Sequence, residues 1–250
     1  DGYKKIRVHL VYDVKHDGRH KARLVADGHL TDVPLESVYS GVVSLCGLHL
    51  LIFAAELNGL QLWGTDIGNA YLEARTAEKV YIIAGPEFKE LKGHILIIYK
   101  ALYGLRTSGL RWYEHFADCL REMGFKLCKA EPKIWMHDAG NYYEYITVYV
   151  NDLAFASKNP QAIIDILKQK YKFKLKGTSP ISFHLGMDFF RDEDGVLCMA
   201  PCKHIEKMIA NCDILFGEKP KQTCASPSEK GNHPETNTSE LLGPEQTKLH

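Results

Sequence analysis

Residues 142–156 limit the possible folds more than any other stretch. Tyr142–Val150 and Leu153–Ala156 are strand-like apolar runs joined tightly at Asn151-Asp152, which predicts a hairpin with polar residues at its tip. Around it the pattern alternates between strand and helix. Ile6, Val8, Leu10, Tyr12 and Val14 have the two-residue period of a half-buried strand, Asp17-Gly18 is a turn signal, and Lys21–Ala26 returns as a second strand. Val42–Leu57 reads as a largely buried helix stopped by Asn58-Gly59, and Leu60–Ile67 as a short strand carrying Asp66 near its end. Val80–Ile83 and Ile95–Tyr99 form a further strand pair. A helix over Ser108–Met123 shows Trp112, Phe116, Cys119 and Leu120 on one face and ends at Gly124. After the hairpin come a helix over Gln161–Tyr171, a strand over Ile181–Phe190, and a helix opened by Pro201 that runs to about Cys212. This order fits an α+β domain, a mixed sheet with helices packed on one face.

Composition narrows the function classes. The chain has 250 residues, zero formal net charge, 45% hydrophobic and 25% charged residues, ordinary values for a globular protein with a real core. Positive charge is concentrated locally: Lys158, Lys168, Lys170, Lys172, Lys174 and Lys176 stand against Asp165 alone, as on a solvated helix face followed by a strand edge. Seven cysteines without a regular framework suggest reduced thiols. Cys198, Cys202, His204 and Cys212 fit no common zinc spacing. No apolar run reaches the ~18–20 residues of a membrane span, and no signal-peptide pattern opens the chain. The absence of an initial Met suggests a fragment of something longer, and the segment from Lys219 reads as a polar tail.

Thr65-Asp66-Ile67-Gly68-Asn69-Ala70-Tyr71-Leu72 carries an acid out of a strand and into a tight turn. Tyr149-Val150-Asn151-Asp152 places polar side chains at a hairpin tip. Strand ends that bring carboxylates together have an evident use. Two divalent ions about 4 Å apart activate a 3′-hydroxyl and stabilise leaving pyrophosphate, and Mg²⁺ prefers oxygen ligands.

With these residues in view, the chain resembles copia-type retrotransposon reverse transcriptases. Asp66–Leu72 is similar to their first catalytic motif, and Tyr149-Val150-Asn151-Asp152 to their tyrosine-valine-aspartate-aspartate box. Lys100-Ala101-Leu102-Tyr103-Gly104-Leu105-Arg106, with Arg111-Trp112-Tyr113 behind it, resembles a third signature; Lys21–Ala26 matches the fingers motif and Phe183-His184-Leu185-Gly186-Met187 the primer grip. The resemblance implies a right-hand polymerase fold: fingers over about 1–40 and 74–110, palm over 41–73 and 111–190, the start of a thumb over 191–219, and a polar linker at 225–250 toward a ribonuclease H part absent from this chain. It also implies RNA-directed DNA polymerase activity on an RNA template with a DNA or RNA primer, two Mg²⁺ ions (Mn²⁺ as an alternative), dNTP substrates, and a cytoplasmic virus-like particle or the nucleus as location.

The implied roles follow residue by residue. Asp66 and Asp152 supply carboxylates to the metals, and Asn151 takes the place of the third. Ile67 lends its backbone carbonyl, and Tyr71 sits under the incoming sugar, although position alone favours a core aromatic there by about two to one. Lys21 or Arg23 meets the triphosphate, since alternation puts both on one strand face. Tyr103 and Gly104 pass close to nucleotide and template, Lys174 or Lys176 either neutralises pyrophosphate or simply belongs to the basic edge, and Phe183, Leu185, Gly186 and Met187 hold the primer.

The sequence departs from this pattern at Asn151. An amide retains a carbonyl oxygen but removes one negative charge, and misplacement of a reacting group alone costs ~100-fold in rate. Lesser departures are Asp27 in place of an arginine and Thr107-Ser108-Gly109 in place of glutamine-alanine-proline. Asp152 is not expected to compensate, because neighbours on a strand point to opposite faces. The competing reading is a decayed or repurposed palm that binds nucleic acid or a protein without catalysis. A third is an unrelated α+β domain with accidental matches, which the ordered motifs disfavour and which a separation of more than ~10 Å between Asp66 and Asn151 would revive.

Overall fold

A computed structural model describes residues 2–14, 18–34, 38 and 40–217. Asp17 of the expected first turn, residues 218–219 and the polar segment 225–250 lie outside the described residues. The chain divides into two compact units, Asp1–Pro201 and Cys202–His250.

The strands are β1 (Lys4–Lys5), β2 (Val8–Val14), β3 (His20–Ala26), β4 (Gln61–Ile67), β5 (Val80–Ile83), β6 (Ile95–Ile97) and β7 (Lys126–Leu127). They continue as β8 (Ile134–Asp138), β9 (Tyr143–Tyr149), β10 (Asp152–Ser157), β11 (Leu175–Pro180), β12 (Phe183–His184), β13 (Met187–Arg191) and β14 (Leu197–Ala200). Helices are α1 (Leu45–Leu57), α2 (Ser108–Glu122) and α3 (Pro160–Gln169), with α4 (Cys202–Phe216) in the second unit.

The central sheet has the order β11-β4-β10-β9-β8-β7, and every adjacent pair in it is antiparallel. Alternation along β10 divides the core in two. Leu153 and Phe155 pack with Trp112, Phe116, Ile163 and Phe173 from the α2 and α3 side. Ala154 and Ala156 meet Leu48, Leu51 and Ala55 of α1 together with Phe189 of β13. Helices therefore cover both faces of the sheet, which corrects the expectation of one face. The pattern hid this because α1 is apolar all round. Its buried stripe is Leu48, Leu51 and Ala55, whereas Phe53 is 65% and Leu57 71% exposed, so it is not the largely buried helix expected. Ser44 starts α1 by accepting a hydrogen bond from the Gly47 amide at 2.9 Å.

A second correction concerns 181–190. The expected single strand is broken by Leu185 (φ 49°) and Gly186 (φ 81°), whose left-handed backbones fold β12 onto β13 in a two-residue hairpin. A third small core, built on Ile6, Ala26, Val80, Ile82 and Leu105, joins β1–β5–β6 to the end of the β2–β3 hairpin.

Candidate active site

Register places the acidic residues. Asp152 begins β10 directly opposite Asp66 of β4, and Lys176 of β11 lies opposite Asp66 on the other side. Directly paired residues share a face, so Lys176, Asp66 and Asp152 form one transverse row. Asp66 lies on the face of Leu62, and Asp152 on that of Ala154, where the core contains α1 and β13.

Asn151 occupies the turn rather than the strand. Its Nδ2 donates to Asp66 Oδ1 at 2.8 Å, and its backbone carbonyl accepts from the Ile67 amide at 2.8 Å. A carboxylate only accepts, so the amide must turn its N–H toward Asp66. Neighbouring residues Asn151 and Asp152 thus both reach Asp66, because the turn releases Asn151 from strand alternation. The expectation that the two would point apart is corrected, and the wide separation that would have revived the accidental-match reading is not found.

Burial and the nearby Asp66 charge, in that order, raise the Asp152 pKa. The sign follows directly. Between the ordinary carboxylate range and the raised native value, the folded chain holds a proton that the unfolded chain has lost. Stability therefore falls as pH rises through that window. Asp152→Asn is expected to raise the melting temperature at neutral pH in a chelator by on the order of 2 °C, read by thermal melting. An unchanged or lower melting temperature contradicts the assignment.

A cavity of about 470 Å³ opens beside the row, lined by Asp66, Asp152, Lys176, Phe183, Leu185 and Gly186, among others. Of the expected primer-grip residues, Phe183, Leu185 and Gly186 line this cavity and Met187 does not; Leu185 and Met187 both pack against the core on the α1 side. Lys176, not Lys174, lines it; Lys174 instead accepts the Gly68 amide on its carbonyl at 2.8 Å. The β11 register shifts between Lys176 and Ser179, with Gly177 at φ 62°, and Thr65 Oγ1 donates to the Lys176 carbonyl at 3.1 Å. A β-carbon on Gly68 would come within 2.9 Å of Lys176 Cε, so Gly68 leaves the room that this lysine occupies.

Of the residues expected to meet the nucleotide, Tyr71, Tyr103 and Arg23 gather. Tyr71 and Tyr103 rings lie 4.9 Å apart, and the Arg23 guanidinium sits 5.5 Å from the Tyr103 centroid. Lys21 shares the strand face of Arg23 through pairing with Asp13 and Val11. The Tyr103 pKa is raised mainly by burial, with Arg23 opposing and Tyr71 and Asp66 adding to the rise. Ile67 is fully buried, which leaves its backbone as the part available to the site. Gly104 has φ 91°, and its close approach is to the chain itself: an added β-carbon would lie 2.1 Å from the Ala26 carbonyl oxygen.

His184 was passed over among the expected primer-grip positions. It is 6% exposed, lines the cavity, and its Nε2 has no hydrogen-bond partner. Burial lowers its pKa from 6.5 to about 4. The unfolded chain then binds a proton that the folded chain refuses. Stability present above pH 6.5 is lost as pH falls toward 4, by roughly 3 kcal/mol at full extent. Chemical denaturation across that window should show the loss, and His184→Leu should remove it. No signal in the sequence marks His184, since burial is a tertiary property.

The donor set bears on metal binding. Two carboxylates are paired across the strands, and Asp152 has a pKa raised by burial and then by the Asp66 charge, a setting in which a divalent cation would favour the ionised pair. Among the described residues no group of three His, Cys, Asp or Glu side chains gathers. The Asn151 amide presents its N–H, not its oxygen, to Asp66. The oxygen donors that the row offers a cation are thus the Asp66 and Asp152 carboxylates.

A family profile described as reverse transcriptase (RNA-dependent DNA polymerase) matches residues 1–228. The chain belongs to the copia-type reverse transcriptase family. It is 26% identical over 219 residues to the retrovirus-related Pol polyprotein from transposon RE1 of Arabidopsis thaliana, covering 85% of this chain and 15% of that protein. To the transposon Ty1-BL Gag-Pol polyprotein of Saccharomyces cerevisiae it is 32% identical over 181 residues, covering 70% of this chain and 10% of that protein. This reverse transcriptase domain thus spans a small part of the polyproteins it matches. No helix among the described residues is long and apolar enough to cross a membrane.

Proposed function

We propose that the chain is an RNA-directed DNA polymerase domain whose catalytic centre is weakened by Asn151. The carrying observation is the Lys176–Asp66–Asp152 row with the Asn151 amide on Asp66. In this reading residues 1–40 and 74–110 act as fingers, 41–73 and 111–190 as palm, and 191–219 as the start of a thumb, with 225–250 leading toward a ribonuclease H part. The antiparallel sheet carrying both acids supports the palm assignment.

Asp66 and Asp152 would hold Mg²⁺ or Mn²⁺, with the Ile67 carbonyl as a further oxygen donor. A bound divalent ion supplies positive charge that favours the ionised primer hydroxyl and the departing pyrophosphate. Two such ions are the arrangement the family resemblance implies, and Asn151 leaves this chain one carboxylate short of it. Lys176, set beside Asp66, is favoured over Lys174 as the cation facing pyrophosphate, because it lines the cavity. Arg23 is favoured over Lys21 for the triphosphate, because its contact with Tyr103 brings it toward Tyr71. Tyr71 supports the sugar of the dNTP, Tyr103 and Gly104 face nucleotide and template, and Phe183, Leu185 and Gly186 hold the primer end, with Met187 anchoring their turn from the core. The partners are an RNA template and its primer, and a cytoplasmic virus-like particle is the setting that the family resemblance supplies.

The second reading, a palm that binds nucleic acid without catalysis, is favoured by the same amide. Primer extension on an RNA template with Mg²⁺ separates them. Incorporation that Asp66→Asn abolishes supports the polymerase. Template–primer binding without incorporation, persisting in Asn151→Asp, supports the binding module.

A further inference from the structure

Val150 and Asn151 form the two-residue loop between β9 and β10, since Tyr149 pairs with Asp152. Val150 has φ 57°, and Asn151 is absent from the positive-φ residues. A hairpin with positive φ at the first loop position alone favours glycine there, and a β-branched residue is strained in that conformation. Something must hold the loop in place.

The geometry points to Trp112. Its indole Nε1 donates to the Val150 carbonyl at 2.6 Å. The indole is itself fixed: it is 2% exposed, stacks on Phe116 at 5.3 Å, and takes the edge of Phe173 at 5.7 Å. We propose that Trp112 is a positioning residue that latches the strained Val150-Asn151 loop, and through it sets Asn151 and Asp152 against Asp66. A buried indole needs some acceptor for its N–H. The choice of the carbonyl of a strained residue one step from Asn151 makes this acceptor consequential. The loop's next carbonyl, that of Asn151, takes the Ile67 amide, so the latch and the β4 strand grip consecutive peptide groups. The connection to the metal-binding carboxylates rests on the polymerase reading; the latch itself does not.

The test uses two measurements on the full chain. Hydrogen exchange at the Ile67 amide reports opening of the loop, because its acceptor is Asn151. Mn²⁺ titration by electron paramagnetic resonance reports the carboxylates. Trp112→Phe keeps an aromatic ring against Phe116 and Phe173 but removes the donor. It should speed Ile67 exchange about fivefold to tenfold, the range for one net hydrogen bond, and weaken Mn²⁺ binding several-fold. Adding Val150→Gly removes the strain, so the loop no longer needs its latch, and both quantities should return to within about twofold. Phe116→Leu disturbs the same aromatic cluster and should lower the melting temperature without changing either quantity.

Unchanged Ile67 exchange in Trp112→Phe overturns the proposal. So does a loss that Val150→Gly leaves unrepaired, or a Trp112→Phe chain that fails to fold with and without Val150→Gly, since Trp112 would then be a plain core residue. If Ile67 exchange responds as expected while neither the unaltered chain nor Asn151→Asp binds Mn²⁺, the latch stands and the polymerase reading fails.

Discussion

Asn151→Asp is expected to raise RNA-templated dNTP incorporation by at least about 100-fold in Mg²⁺, the order that correct placement of a reacting group contributes. The amide now satisfies Asp66 with a direct N–H donor at 2.8 Å, a charge-assisted hydrogen bond that ties up one of the oxygens a cation would need. The substitution changes three things at once. It restores a negative charge, removes the competing donor, and replaces attraction between the two side chains with repulsion that only a cation relieves. The same change should therefore destabilise the chain in a chelator and stabilise it when Mg²⁺ or Mn²⁺ is added. Melting with and without the ion checks this half, and primer extension checks the first. Equal incorporation by both chains would show that Asn151 is no handicap.

Gly104→Ala is expected to cost about 3 kcal/mol or more, enough to lower the melting temperature by roughly 10 °C. Two causes act together at this position. The backbone stands at φ 91°, and the new methyl would meet the Ala26 carbonyl oxygen at 2.1 Å. Nothing there yields easily: the Ala26 amide donates to the Tyr103 carbonyl at 2.7 Å, and Arg106 Nε donates to the Gly28 carbonyl at 3.0 Å. Gly28 repeats the constraint from the other side, since its own β-carbon would fall 2.0 Å from the Gly104 oxygen. Gly140→Ala is the matched control, because it has φ 92° and no atom within 4 Å. Its cost should be the conformational part alone, about 1–2 kcal/mol. If the two substitutions cost the same, the close approach at Gly104 carries no weight.

Much of this was legible in the sequence because it is local. The 142–156 hairpin, the strand ending at Asp66 and the helix behind Trp112 follow from alternation, helical spacing and glycine stops. What was illegible is tertiary. A uniformly apolar segment says that α1 packs somewhere, not on which face or with which stripe, and Phe53 and Leu57 remained outside. Leu185 in a left-handed conformation gives no warning, since only the glycine after it is an ordinary turn signal. Lys174 and Lys176 are equivalent by spacing; the shift in β11 register and the space above Gly68 distinguish them. The meaning of Asn151 was half visible: the missing charge could be read directly, but not the hydrogen bond that replaces it.

The position of β4 also bears on synthesis. Both of its neighbours, β10 and β11, come later in the chain, and the contact from Thr65 to Thr178 spans 113 residues. As the polypeptide leaves the ribosome, the strand that carries Asp66 has neither edge paired until β10 has emerged, and its β11 edge stays open until that full length has followed. At ~5–20 residues per second, the wait is roughly 6–20 s. An open strand edge for that long invites pairing with other chains. The Lys176–Asp66–Asp152 row would then be among the last parts of the nascent protein to exist, and chains released before β11 would carry the two acids without Lys176 beside them.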